Sequence, residues 1–416
     1  MNETRPRIAV LFDKFGPYHI ARLAGAMPYA DVFALEGAPH RRVYDWDASP
    51  VPAGMRHAAV AEAAGDESYP ARIAARLDRL LGEWQPDAVA VPGWSNMIAL
   101  AALRWASRRG VPAICMSETN AWDFTRRHGV ERVKRAIVRH YGAGLCTSDS
   151  HAGYLSALGI PPNRIARGYN VVDNDYFAKS AGYWQAAGSL PAALAERLPP
   201  AAFNRYFLTS NRFIEKKNLV RLLAAYAAFR EGRGDDPADW PLVLLGDGEL
   251  RDTLLAERDR LGIGGHVHMP GFLQIDELPK YYGSAGAFLH ASTIEQWGLV
   301  VNEAMASGLP VAVSDKCGCA EVLIDDGVTG FSFDPLDVPA MAGAMRSLAL
   351  LERDGPMVAA ARRRIADFGP DAFGRGLVEA ARMARAGGAR PSFLDRRLLD
   401  LSIARAAWRD GRRHGG

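Results

Sequence analysis

Short apolar runs without polar alternation punctuate the chain, and each leads into a stretch whose apolar positions recur every three to four residues. The first kind fits strands buried on both faces, and the second fits helices with one buried stripe. In the first half the pattern predicts strands over Arg7–Phe12, Asp87–Pro92, Val111–Met116 and Gly144–Thr147. Helices are predicted over Tyr69–Trp84, Ser95–Arg109, Val130–His140 and Ser150–Leu158. The second half repeats the plan, with strands over Tyr206–Ser210, Leu242–Leu245, Ala287–His290 and Val311–Ser314. Its helices are predicted over Leu219–Arg230, Glu249–Leu261, Glu277–Gly283 and Leu299–Ser307. Alternation of this kind implies parallel strands joined by right-handed crossovers. The expected fold is α/β, with two doubly wound Rossmann-like domains over residues 1–190 and 201–370 and terminal helices over 371–416. The boundary falls in the Ala/Pro-rich stretch Tyr183–Pro200. A substrate cleft between the domains, at the carboxyl ends of both sheets, is expected.

Composition narrows the function classes. Of 416 residues, 49% are apolar and 23% charged, which excludes a disordered or collagen-like chain. A net charge of +3 argues against a protein that coats nucleic acid. That charge is uneven: residues 382–416 hold nine Arg and three Asp, so a mildly acidic body carries a basic tail. Four cysteines are too few for a disulfide framework. Cys317-Gly-Cys319 has metal-like spacing but lacks the further ligands that structural zinc requires. The start, MNETRPRIAVLF, has no signal-peptide core, and no apolar run approaches the roughly 18 residues of a spanning helix. A cytoplasmic protein, able to touch the inner face of a membrane, is expected.

The most informative stretch runs from Ala291 to Val311, ASTIEQWGLVVNEAMASGLPV. Glu295 lies in a loop between a strand and a helix, and the first-turn amides near Trp297–Val300, with the helix dipole, suit an anion. Glu303 follows about 7–8 Å further along the helix axis. Two carboxylates so placed can contact different parts of one extended ligand with an anionic centre, the form of a nucleoside diphosphate sugar. Either Glu alone would read as a helix-start residue suited to the dipole.

With its neighbours, this string resembles the E-x7-E signature of the retaining glycosyltransferases of family 4, a GT-B group. Asn211-Arg212-Phe213-Ile214-Glu215-Lys216-Lys217 is similar to the family's Arg-x4-Lys segment, and Gly246-Asp247-Gly248 to its Gly-Asp-Gly turn. Gly271-Phe272 resembles the stretch near the donor base, and Thr329-Gly330-Phe331 its late turn. The match is dense over residues 200–370 and looser before them. It implies a GT-B fold and a metal-independent, cofactor-free transferase using a nucleoside diphosphate sugar. Glu295 would hold sugar hydroxyls, Glu303 the donor ribose, and Arg212 and Lys217 the diphosphate, with Gln296, Trp297, Gly298 and Leu299 lining the donor. Fixed cations stabilise the negative charge that grows on the leaving group. Lys216 reads as a solvated neighbour.

The first half should supply the acceptor side. Phe15-Gly16-Pro17-Tyr18-His19 resembles the family's glycine loop, with Gly16 approaching the donor and His19 either an acceptor-side residue or a helix cap. Glu118, after the strand ending at Met116, is a candidate for orienting or deprotonating the acceptor hydroxyl, or else a strand-end cap. Asp123 and Arg126 follow as candidates for the acceptor groove, and the run Asn170–Asp173 carries no assigned chemistry. In the tail, Leu394, Leu398, Leu401, Ala404 and Trp408 recur at helical spacing among Arg396, Arg397, Arg405, Arg409, Arg412 and Arg413. This stripe either packs onto the N-terminal domain or meets an anionic membrane over residues 391–416. The leading reading is transfer to a glycan or lipid-linked acceptor in bacterial surface polysaccharide or glycolipid assembly. The alternatives are a GT-B-shaped sugar-nucleotide 2-epimerase and a non-catalytic nucleotide-sugar-binding protein.

Overall fold

The computed structural model describes residues 5–40, 49–234, 236 and 239–414, the side chains of residues 67 and 411–414 excepted. The chain divides into two compact units: Met1–Val171 with Pro370–Gly416, and Val172–Gly369. The helix Asn174–Ala187 thus belongs to the second unit.

The first unit holds seven strands: β1 (Arg7–Phe12), β2 (Asp31–Glu36), β3 (Arg56–Ala59), β4 (Ala88–Pro92), β5 (Ala113–Met116), β6 (Ala143–Cys146) and β7 (Ile165–Arg167). They form one parallel sheet in the order β3-β2-β1-β4-β5-β6-β7. Strand geometry sends successive side chains to opposite faces. Ile8, Val10 and Phe12 enter one buried cluster while Ala9 and Leu11 enter another, so both faces are covered. That is why these strands read as unbroken apolar runs. In this unit the hydrophobic pattern missed β2, β3 and β7. Asp31 and Glu36 close in a four-residue apolar run, β3 is an edge strand of sequence RHAA, and β7 is three residues long.

The second unit holds β8 (Phe207–Ser210), β9 (Leu242–Leu245), β10 (Val267–Gly271), β11 (Ala287–His290), β12 (Val311–Ser314) and β13 (Phe331–Phe333). These too are parallel, in the order β10-β9-β8-β11-β12-β13. In each unit the strand order reverses beside the first strand, between β1 and β4 and between β8 and β11. Two parallel, Rossmann-like sheets are what the alternating pattern predicts. Ligands of such sheets bind outside the carboxyl ends of the strands at the reversal point.

After Gly369 the chain re-enters the first unit. The helix Pro370–Gly387 lays Phe373, Leu377, Ala380, Ala381 and Ala384 into one of its clusters. The last helix, Phe393–His414, packs against the helices Met97–Arg109 and His128–Val138. It does so through Leu399, Ile403, Ala406 and Ala407, aided by ion pairs of Asp395 with Arg139 (3.1 Å) and Asp400 with Arg104 (3.4 Å). The stripe expected to pack is therefore displaced. Leu394, Leu401, Ala404 and Trp408 stay exposed, and Leu398 is partly covered. The Arg412 and Arg413 side chains lie outside the described residues.

Candidate active site

The reversal point of the second sheet gathers the loops that follow β8, β11 and β12. Thr293 N–H donates to the Lys216 carbonyl at 2.9 Å, which stitches the β11 loop to the β8 loop. Asn218 reaches both the Ala291 carbonyl (3.1 Å) and the Pro335 carbonyl (2.7 Å) through its amide nitrogen. The β12 loop is tied in by Glu295 N–H to the Lys316 carbonyl (3.2 Å) and Gly318 N–H to the Glu295 carbonyl (3.0 Å). Buried backbone groups satisfied in this way hold the loops rigidly. The Gly-Asp-Gly turn supports the same loop from behind. Gly246 has φ +117°, and a Cβ there would lie 1.8 Å from the Asn211 carbonyl oxygen, so only glycine lets the two turns meet.

Glu295 stands at the centre. Its carboxylate pairs with Lys217, with Lys216 at 3.5 Å, Ser292 Oγ at 3.4 Å and His290 Nε2 at 3.8 Å. Burial by itself would raise its pKa. His290 and the charges of Lys217 and Lys216 outweigh that and hold the carboxyl below the ordinary carboxylate range. His290 is fully buried, and its pKa is lowered, first by burial and then by Lys217. The Ser292 hydroxyl donates to the Glu295 carboxylate and lies 3.3 Å from His290 Nε2, so Ser292, backed by the neutral His290 ring, orients Glu295. Glu295 is thus an acceptor of hydrogen bonds and not a proton donor. The Lys217 side chain is mostly buried, while Lys216, expected to be a solvated neighbour, is 40% exposed yet lies 3.5 Å from Glu295. Arg212 lies exposed on the same β8 loop.

The remaining candidates divide. Gly298 adopts φ +104° and starts the helix Leu299–Ala306 beside Gln296 and Leu299, both half-exposed. Trp297 does not line an open surface: it is buried to 1%, donates from its indole N–H to Asn302 at 2.9 Å, and packs against Phe368. Glu303 is buried completely and its carboxylate accepts the Tyr282 hydroxyl at 2.7 Å. Its spacing put it on the same helix as expected, but the helix turns its side chain inward. Gly271 has φ +106° at the end of β10, and Phe272 beyond it is 40% exposed.

In the first unit, Gly16 caps the helix Pro17–Ala26, and its N–H donates to His19 Nδ1 at 3.2 Å. Burial, then the charge of Arg22, presses the His19 pKa down to about 3, so the ring is neutral. It serves as the helix cap and keeps Nε2–H as a donor. Glu118 is half-buried after β5 and accepts the Asn170 amide at 2.6 Å, while Asn170 N–H donates to Thr147 Oγ1 at 2.7 Å. Asp123 and Arg126 close on each other. Asp123 is buried and paired with Arg126, whose guanidinium lies 4.3 Å over the Tyr154 ring. They fix the shape of their own loop. Residue-by-residue reading missed His290, Ser292 and Asn170 as supporting groups. Only the strand-end polar residues in AFLHAS and the Asn170–Asp173 run hinted at them.

Known proteins extend these observations. Residues 196–366 match the family model described as glycosyl transferases group 1, and residues 19–170 match the glycosyl transferase 4-like domain. A sulfoquinovosyl transferase of Arabidopsis thaliana is 38% identical over 109 residues, covering 26% of this chain and 21% of that protein. A GDP-mannose-dependent alpha-mannosyltransferase of Mycobacterium tuberculosis is 28% identical over 263 residues, 60% of each chain. The chain thus spans less than two thirds of these relatives. The crystal structure of HepE from Anabaena, in complex with UDP and glucose, superposes with a TM-score of 0.66 at 19% identity, covering 90% of this chain and 98% of that one. This likeness establishes the fold. No helix of the described residues is long and apolar enough to cross a membrane.

Proposed function

On the premise that two glycosyltransferase family matches and a GT-B fold make this chain GT-B glycosyltransferase-like, we propose that it transfers a sugar from a nucleoside diphosphate sugar to a glycan or lipid-linked acceptor, with retention at the anomeric carbon. The observation that carries the reading is Glu295. It is kept ionised at the strand-order reversal of the second sheet, among Lys217, Lys216, His290 and Ser292. Such a carboxylate accepts hydrogen bonds from sugar hydroxyls. Lys217 is a movable point charge on a four-carbon stem, and the planar Arg212 guanidinium suits bidentate phosphate contact. Donor binding draws Lys217 from Glu295 to the diphosphate and frees the carboxylate for the sugar.

As the glycosidic bond breaks, negative charge grows on the diphosphate. Lys217, Arg212 and the amides opening the helix Leu299–Ala306 stabilise it more in the transition state than in the ground state. These groups supply the positive charge, so the proposal needs no resident metal, and transfer should withstand chelation. Glu118, steadied by Asn170, orients or deprotonates the acceptor hydroxyl. Surface polysaccharide or glycolipid assembly on the cytoplasmic side is the setting we infer.

A thermal-shift screen of UDP-, GDP- and ADP-sugars tests the donor site. At least one should stabilise the chain, and the response should fade in Glu295→Ala. No response to any donor, beside a responsive control transferase, refutes the donor site. A Glu295→Ala enzyme transferring at the wild-type rate removes that residue from the reaction.

A further inference from the structure

Over residues 393–410 the outward face of the last helix is exposed and has an unusual make-up. Phe393, Leu394, Leu401 and Trp408 are 74%, 65%, 66% and 61% exposed. Leu394, Leu401 and Trp408 are spaced by seven, a repeat that drifts only about 20° per step, so they share one line along about 21 Å of helix. Arg397 and Arg405 are exposed on that same line, and the Arg397 guanidinium lies 5.3 Å over the Phe393 ring. No carboxylate shares the line. Asp395 and Asp410 are buried on the packed side, and Asp400 pairs with Arg104 and Arg108 at 3.4 and 3.8 Å.

We propose that this face is a docking surface for an anionic phospholipid bilayer, on which the helix lies flat with its apolar tips among the acyl chains and Arg397 and Arg405 at the headgroups. Charge complementarity selects this occupant. Cations interleaved with large apolar side chains, with an aromatic residue at each end, suit the boundary between headgroups and acyl chains. A second copy would bring Arg397 and Arg405 against their own counterparts with no carboxylate between, which opposes association. Packing and lipid contact, alternatives when the helix has one apolar stripe, here use different stripes. The inference does not depend on the donor-site reading.

The test is vesicle flotation of the full chain. Pure phosphatidylcholine is compared with phosphatidylcholine containing about 30% phosphatidylglycerol, with salt raised in steps. Wild type should float with the anionic vesicles, little with the neutral ones, and less as salt rises. Leu401→Ser with Trp408→Ser should lower the partition by more than about tenfold, and Arg397→Gln with Arg405→Gln should abolish the preference for anionic lipid. All four side chains are exposed, so thermal unfolding should match wild type. If the Leu/Trp variant unfolds early, the Arg variant decides. Wild type that ignores anionic vesicles, or variants that float as it does, overturns the proposal. So does a concentration-dependent dimer that these substitutions dissolve.

Discussion

The pairing of Glu295 with Lys217 can be measured directly. Both side chains are nearly buried, at 12% and 13% exposure, so the about 0–1 kcal/mol typical of surface ion pairs does not apply. A hydrogen bond to a charged group contributes about 1.5–3 kcal/mol, and stranding one member of a fully buried pair costs about 3–5 kcal/mol. Lys216, Ser292 and His290 remain around Glu295 when Lys217 is lost, which favours the lower range. We therefore expect Glu295→Gln and Lys217→Met each to destabilise the second unit by about 1.5–3 kcal/mol. The double variant should fall short of the sum by about 1–2 kcal/mol. The two units need not unfold together, so amide hydrogen exchange of peptides within residues 207–333 is the assay. The pH dependence has a definite sign. The folded-state pKa of Glu295 is depressed, so its contribution is fully present above the ordinary carboxylate range and disappears as pH falls through the lower folded-state value. The cycle should therefore be flat between about pH 6 and 8. Additivity of the two substitutions within about 0.3 kcal/mol would refute a coupled pair. A cycle that closes in the free protein but shrinks when a responsive nucleotide sugar is bound is the signature of Lys217 changing partner.

Three further outcomes follow from the packing. Trp297→Ala should cost about 3–5 kcal/mol by opening a cavity beside Phe368, whereas Trp297→Phe should keep donor affinity near wild type. Donor affinity lost in a stably folded Trp297→Phe would return this side chain to the site. Gly246→Ala should destabilise by more than about 1–3 kcal/mol in a melt of the second unit, because φ +117° and the Asn211 carbonyl both oppose a Cβ. Asp395→Ala should fray the last helix, since Asp395 accepts from Ser392 N–H at 2.8 Å and pairs with Arg139 at 3.1 Å. Burial raises the Asp395 pKa and is outweighed by Ser392 and Arg139, so this anchoring is present above the carboxylate range and lost on acidification, which exchange of residues 393–410 can follow.

Much of this molecule is readable from local sequence. β1, β9, β11 and β12 appear with the predicted bounds because each is a short apolar run buried on both faces, and burial on both faces removes the polar alternation that would blur its edges. The Arg212–Lys217 segment and the Ala291–Leu299 loop stand out because each is contiguous in sequence, although bonds between distant residues, such as Thr293 N–H to the Lys216 carbonyl, hold them in place. Edge strands such as β3 lack the second buried face and so lack the signal.

What the tertiary structure alone decided is which way side chains turn once elements meet. Glu303 has the spacing of a ligand contact, yet its helix rotates it against Tyr282. Asp123 and Arg126 follow a strand end like Glu118, yet they close on each other beside Tyr154, while Glu118 finds Asn170, 52 residues further along the chain and beyond the end of β7. The last helix shows the cause most plainly. It carries apolar residues in two adjacent registers, and helical periodicity cannot rank two stripes that both repeat at 3.6 residues. The helices Met97–Arg109 and His128–Val138 chose Leu399, Ile403, Ala406 and Ala407, and left Leu394, Leu401 and Trp408 facing outward. Sequence fixes which residues are apolar and how often they recur, whereas burial is a property of the pair of surfaces, and the second surface lies elsewhere in the chain.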